Sequence, residues 1–166
     1  MLDFKLLLPV VFFLFSFRGT QAQVPLESVE LKTLKGTLVN FSDLSHRDSL
    51  VLVCFWSPSS DASINELNAI NAQYNQWRNS TSFRFIPVCI AEGGTNQLRP
   101  VSNMNGWTFE VYADITGNLR KALNATSLPQ SMILKKGKVI YQLSGYESGT
   151  EKYLLQKMNS LASGGQ

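Results

Sequence analysis

The chain is short of the residues on which most catalysis is built. It has one histidine and two cysteines in 166 residues. A hydrolytic serine needs a base within hydrogen-bond reach, so His46 alone would have to serve. No His, Cys and carboxylate group has metal-ligand spacing, so no metal is expected, and no motif calls for a cofactor. Charge is sparse too: 15 Lys and Arg against 12 Asp and Glu give a formal net charge of +3. The densest basic spot, Lys135-Lys136-Gly137-Lys138, is too small for a nucleic-acid footprint. Internal repeats are lacking, and no apolar run reaches the ~20 residues that span a bilayer.

The longest apolar run is residues 6–17, preceded by Lys5 and followed by Thr20-Gln21-Ala22. That order of weak positive charge, short apolar core and small-x-small site reads as a secretory signal peptide over residues 1–22. An uncleaved anchor is the less favoured reading, and Asp3 and Arg18 are blemishes. Residues 23–166 then form one domain, with enough apolar content (44% of the chain) for an ordinary core.

The centre of the chain is VLVCFWSPSSDASINELNAINAQYNQW. Leu50 to Trp56 is a continuous apolar run, as suits a strand buried on both faces. Ser57-Pro58-Ser59-Ser60-Asp61 breaks it with turn and N-cap residues. Ala62, Ile64, Leu67, Ile70, Tyr74 and Trp77 then recur at mostly helical intervals. Around this unit, residues 29–34 and 37–41 read as a hairpin turning at Gly36. Residues 83–90 read as a buried strand, in which Pro87 implies a bulge or an unpaired donor position. A helix over 96–103 is expected to be interrupted near Pro100. Downstream come a short strand at 111–113, a helix over 118–123, strands at 132–134 and 138–143, and a terminal helix over 150–161.

The strand-end Trp56, the loop and the helix with Glu66 on it resemble the active-site stretch of thioredoxin-like proteins, in the redoxin branch of TlpA and ResA type. Ser127-Leu128-Pro129-Gln130 before a strand is similar to the family's second hallmark, a proline held cis opposite the active-site loop. Asp114, Gly117 and Gly137 also fall in register, so the resemblance runs over residues 29–161. It implies an α/β fold: a three-layer αβα sandwich with a mixed central sheet and an N-terminal β-hairpin. It also places Ser60 on the nucleophilic cysteine of the family, Ser63 on the resolving cysteine and Glu66 on the helix glutamate. Both redox cysteines are thus serine. Cys54 falls where many relatives carry a buried acid.

Disulfide exchange needs a thiolate at the helix N-terminus, and a serine hydroxyl supplies none. The bland reading makes Ser60 a helix cap and Ser63 part of a solvated helix face. Hydrolysis by Ser60 is disfavoured because His46 precedes the strand that ends at Trp56, which at ~3.3 Å per residue separates the two by roughly 20 Å. Cys54 and Cys89 lie inside expected strands, either as free buried thiols, the preferred reading, or as a cross-strand disulfide.

The reading that results is an exported thioredoxin-like domain of the periplasm or cell envelope, with an extracellular location also open. It has no catalytic residue. Its role is to bind an extended polypeptide or envelope protein through Trp56, Ser60, Asp61, Leu128 and Pro129, or to act as a scaffold. The competing reading keeps thiol–disulfide oxidoreductase activity through Cys54 and Cys89.

Overall fold

The computed structural model describes residues 25–45, 50–90, 95–163. The expected signal peptide, His46 and the loop glycines Gly93 and Gly94 lie outside the described residues. Among the described residues, seven strands form one mixed sheet in the order β2-β1-β5-β4-β3-β6-β7. They are β1 (Glu30–Thr33), β2 (Leu38–Asn40), β3 (Leu50–Trp56), β4 (Phe83–Cys89), β5 (Tyr112–Ala113), β6 (Gln130–Lys135) and β7 (Lys138–Ser144). The helices are α1 (Phe41–Leu44), α2 (Asp61–Ser80), α3 (Leu98–Met104), α4 (Asn118–Ala122) and α5 (Thr150–Ser163). The expected α/β sandwich with an N-terminal hairpin is what the chain forms.

β3 lies at the heart of the sheet because all of its side chains are buried. It pairs in parallel with β4 and antiparallel with β6. Strand alternation divides its residues between two cores. Leu50, Leu52, Cys54 and Trp56 join Leu67, Ile70 and Trp77 of α2 and Leu154 and Met158 of α5. Val51, Val53 and Phe55 join Phe41 of α1 and Leu119 of α4 on the other face. Helices therefore cover both faces, as a continuous apolar strand requires.

Two local expectations resolve differently from their simplest form. Pro87 causes no bulge: the β3–β4 register runs unbroken, with Cys54 facing Pro87. Ile90 N–H donates to Trp56 O and Asp114 N–H to Cys89 O, so odd-numbered residues of β4 direct their backbone groups toward β5. β5 pairs only with Val88 and Cys89, and the N–H that Pro87 lacks falls where no strand would accept it. Pro100 does not interrupt α3 either, because it sits in the first turn, where helix N–H groups have no intrahelical acceptor. The Lys135–Lys138 turn is the expected hairpin, with Lys136 and Gly137 both at positive φ (54° and 73°), as a type I′ connection demands.

Candidate functional site

The C-terminal end of β3 and the N-terminus of α2 meet in a short loop. Ser60 N–H donates to Ser57 O (3.1 Å), and the Ser57 and Ser59 hydroxyls lie 2.8 Å apart. Ser60 caps α2: its Oγ accepts from Ser63 N–H at 3.2 Å, satisfying one orphan donor of the first turn. Ser59 and Asp61 are exposed and Ser60 half-buried.

The β3–β6 register, with Phe55 facing Gln130, puts Pro129 beside the end of β3. The Leu128–Pro129 peptide bond is cis. Gly145 N–H donates to Pro129 O (2.9 Å), and the Gln130 side chain accepts from Thr126 N–H (2.8 Å) and Ser127 N–H (3.2 Å). Leu128 and Ser127 are half-buried and Pro129 is buried. The sheet thus brings Ser60, Asp61, Leu128 and Pro129 to one end of the molecule.

Trp56 arrives there differently from the expectation of a contact surface. Its ring is fully buried, packed edge-on against Trp107 with centroids 5.0 Å apart. As the last residue of a strand covered on both faces, it belongs to the core. Its Nε1 has no hydrogen-bond partner among the described residues.

Ser63 also departs from expectation. It is wholly buried rather than on a solvated helix face, and its Oγ has no partner among the described residues. The reason is the phase of α2: the positions facing the sheet are Ser63, Glu66, Leu67, Ile70 and Trp77, so two polar residues fall on the apolar stripe.

Glu66 is the consequential one. Its side chain has no exposure, and it is held by Cys54 and Ser131. Cys54 Sγ–H donates to Oε2 at 3.1 Å and Ser131 Oγ–H to Oε1 at 2.9 Å. Burial raises the Glu66 carboxyl above its usual range, the donations from Cys54 and Ser131 oppose that rise, and Glu151 adds to it. Burial, then the neighbouring Glu66, pushes the Cys54 thiol well up. Burial also raises Cys89, to about 12. Both cysteines are free, in line with the preferred reading. On the parallel strands, Cys54 faces Pro87 while Cys89 faces Trp56, so the two thiols are out of register by two residues.

Sequence reasoning places Glu66 through the family resemblance alone. A glutamate at helical spacing within an apolar stripe is itself a signal of a buried acid. Ser131 carries no such signal. Beyond this cluster, Glu151 accepts from Tyr146 O–H (3.3 Å) and Gly149 N–H (3.0 Å), extending the polar network toward the β7–α5 loop. Among the described residues, no His, Cys, Asp and Glu group is arranged to hold a metal, and no helix is long and apolar enough to cross a membrane.

No protein-family model and no curated protein sequence matches the chain. Solved structures do. An uncharacterized thioredoxin-like protein from Porphyromonas gingivalis is 32% identical, with 87% of this chain and 95% of that one covered and a TM-score of 0.70. StoA from Bacillus subtilis is 20% identical over 76% of this chain and 92% of its own, with a TM-score of 0.63. A cysteine-to-serine variant of PrxQ from Xylella fastidiosa is 15% identical over 82% of this chain and 91% of its own, with a TM-score of 0.70. The latter two likenesses are of fold.

Proposed function

The chain belongs to the thioredoxin-like proteins, and from that premise we propose an exported polypeptide-binding or scaffold protein of the cell envelope that lacks the dithiol centre. The observation that carries the reading is chemical. Hydroxyls occupy the N-terminal turn of α2, at Ser60 and Ser63, while both thiols are buried in the core. A thiol acts through its thiolate. Cys54 and Cys89, both without exposure and both raised by burial, stay protonated and out of reach at neutral pH. That argues against residual oxidoreductase activity through them.

The remaining surface suits an extended segment. Leu128 is half-buried at the end of the sheet, and no backbone hydrogen bond of its own occurs within the described residues. Its amide and carbonyl can pair with an incoming strand while Ser60 and Asp61 border the contact. Export rests on residues 1–22, whose pattern is that of a signal peptide.

The test is photo-crosslinking in envelope extract with the wild type and a Leu128→Glu/Ser60→Tyr variant, with circular dichroism to confirm that the variant is folded. Partners recovered by the wild type and lost from the folded variant support the groove. Equal recovery by both rejects it. An insulin-reduction assay with a native thiol titration addresses the redox reading: Cys54-dependent turnover would overturn the proposal.

A further inference from the structure

Two buried carboxyls lie in the opening turns of neighbouring helices. Glu66 has no exposure and Glu151 is 6% exposed. β7 runs parallel to β3, because each is antiparallel to β6 between them, so α5 starts at the same end of the sheet as α2. The two helices lie side by side in the same direction. Thr81, just past α2, donates its hydroxyl to Asn159 late in α5, and Leu67 and Ile70 share a core with Leu154 and Met158. Glu66 stands one turn ahead of Ile70 and Glu151 one turn ahead of Leu154, each on the buried face of its helix.

Among the described residues neither carboxyl is in an ion pair. The groups that meet Glu66 are Cys54 of β3, Ser131 of β6, Glu151 of α5 and Tyr146 of the β7–α5 loop, and none is a cation. Asp61, Glu147 and Lys152 are exposed. Burial raises the Tyr146 phenol, and Glu151 and then Glu66 add to that rise, so the three acids sense one another.

One oxygen of Glu151 holds the loop. Its Oε2 accepts from Gly149 N–H (3.0 Å) and Tyr146 O–H (3.3 Å). At its start the loop is tied to the corner by Gly145 N–H on Pro129 O (2.9 Å). Loss of a proton from Glu66 puts a negative charge in the core beside Glu151, with no cation there to offset it. Glu66 is enclosed, so Glu151, nearer the surface, is the group that can move away.

Resting on the polypeptide-binding reading above, we propose that a proton on Glu66 sets the grip of Glu151 on residues 145–149, and through them the affinity of the Leu128–Pro129 corner. With Glu66 protonated, the loop is held and the corner binds. With Glu66 ionised, Glu151 turns toward solvent, Gly149 and Tyr146 are released, and an extended segment binds more weakly. The proton passes between Glu66 and water, and no other bond changes.

The experiment follows the Gly149 amide and the Glu66 carboxyl carbon of the isotope-labelled protein by NMR as pH is raised. Both titrate with one midpoint, above the ordinary glutamate value near ~4.3. Protection of the Gly149 amide, corrected for intrinsic exchange, falls about five-fold or more across it. Glu66→Gln abolishes the Gly149 titration, and Glu151→Gln lowers the midpoint read at Glu66. Photo-crosslinking in envelope extract falls by about the same factor over that range in the wild type and stays level in Glu66→Gln. A Gly149 amide that ignores pH, or that titrates alike in wild type and Glu66→Gln, overturns the switch and leaves the groove standing. A Glu66-dependent titration of the loop with no crosslinked partner at any pH keeps the loop switch and removes the groove.

Discussion

At the N-terminus of α2, oxygen occupies the accessible layer and sulfur the inaccessible one beneath. Ser59, Ser60 and Asp61 meet solvent, and the Ser60 hydroxyl is engaged in capping the helix. One layer down, Cys54 gives its proton to a hydrogen bond with a carboxylate that is itself out of water. The helix end that would favour a thiolate holds none, and the thiol that exists lies where burial and a neighbouring acid both oppose ionisation. The contrast shows that position governs sulfur chemistry as strongly as presence: a count of two cysteines says little until their depth is known.

The most direct way to break this contrast is to move sulfur outward. Ser60→Cys/Ser63→Cys is expected to gain insulin-reductase turnover that the parent lacks, and to show thiols reactive with Ellman's reagent in the native state. In the parent, both thiols should react only after unfolding. A folded double variant with no turnover would show that the mouth differs from that of its relatives in more than its two serines.

A large effect on stability is expected in the lower layer. Glu66→Ala removes the acceptor shared by Cys54 and Ser131 and opens a cavity in the core, with an expected loss of about 3 kcal/mol. Urea unfolding measures it, and a loss under about 1 kcal/mol would mean that the cluster contributes little.

The pH dependence sharpens the same point. Because burial raises the Glu66 carboxyl in the fold, the native state binds that proton more tightly than the unfolded chain, whose glutamates titrate near ~4.3. The contribution is complete below that value and is lost as pH rises through the folded pKa. The wild type should therefore lose stability as pH rises from the unfolded glutamate value through the raised folded pKa, while Glu66→Gln should be flatter over that range. The raised thiols act in the same direction at higher pH, since unfolded cysteines ionise near ~8.5. A wild type whose melting temperature rises steadily across the range would contradict this assignment.

The smallest expected effects separate the two serines. Ser60→Ala loses the cap and about 1 kcal/mol. Ser63→Ala removes a buried hydroxyl that has no partner among the described residues, and its stability should change by no more than about 0.5 kcal/mol or rise. Equal losses in both variants would show that Ser63 Oγ has a partner in solution.

Much of this is legible in the chain itself. The apolar run of β3, the cap at Ser60, the stripe of α2 and the Lys136-Gly137 turn are local signals, written in residues a few positions apart. The cis bond at Pro129 is accessible only through the family resemblance, since an X-Pro bond alone favours trans. Ser63 and Trp56 are harder to place. Helical periodicity gives the spacing of a stripe but leaves the phase of polar residues at its edge undecided, so Ser63 reads as solvated. Trp56 reads as contact surface because it borders a loop, yet it is buried, with the Trp107 ring packed edge-on against it.

The order of strands and helices along the chain and the buried central strand follow from local sequence, because hydrophobic period and turn chemistry act within a few residues. The joining of Cys54, Glu66 and Ser131 across three elements, and the meeting of the Ser60 loop with Leu128–Pro129 at one end of the sheet, belong to the tertiary structure. Those contacts link residues far apart in the chain, and only the crossing of β3, α2 and β6 brings them within hydrogen-bond range.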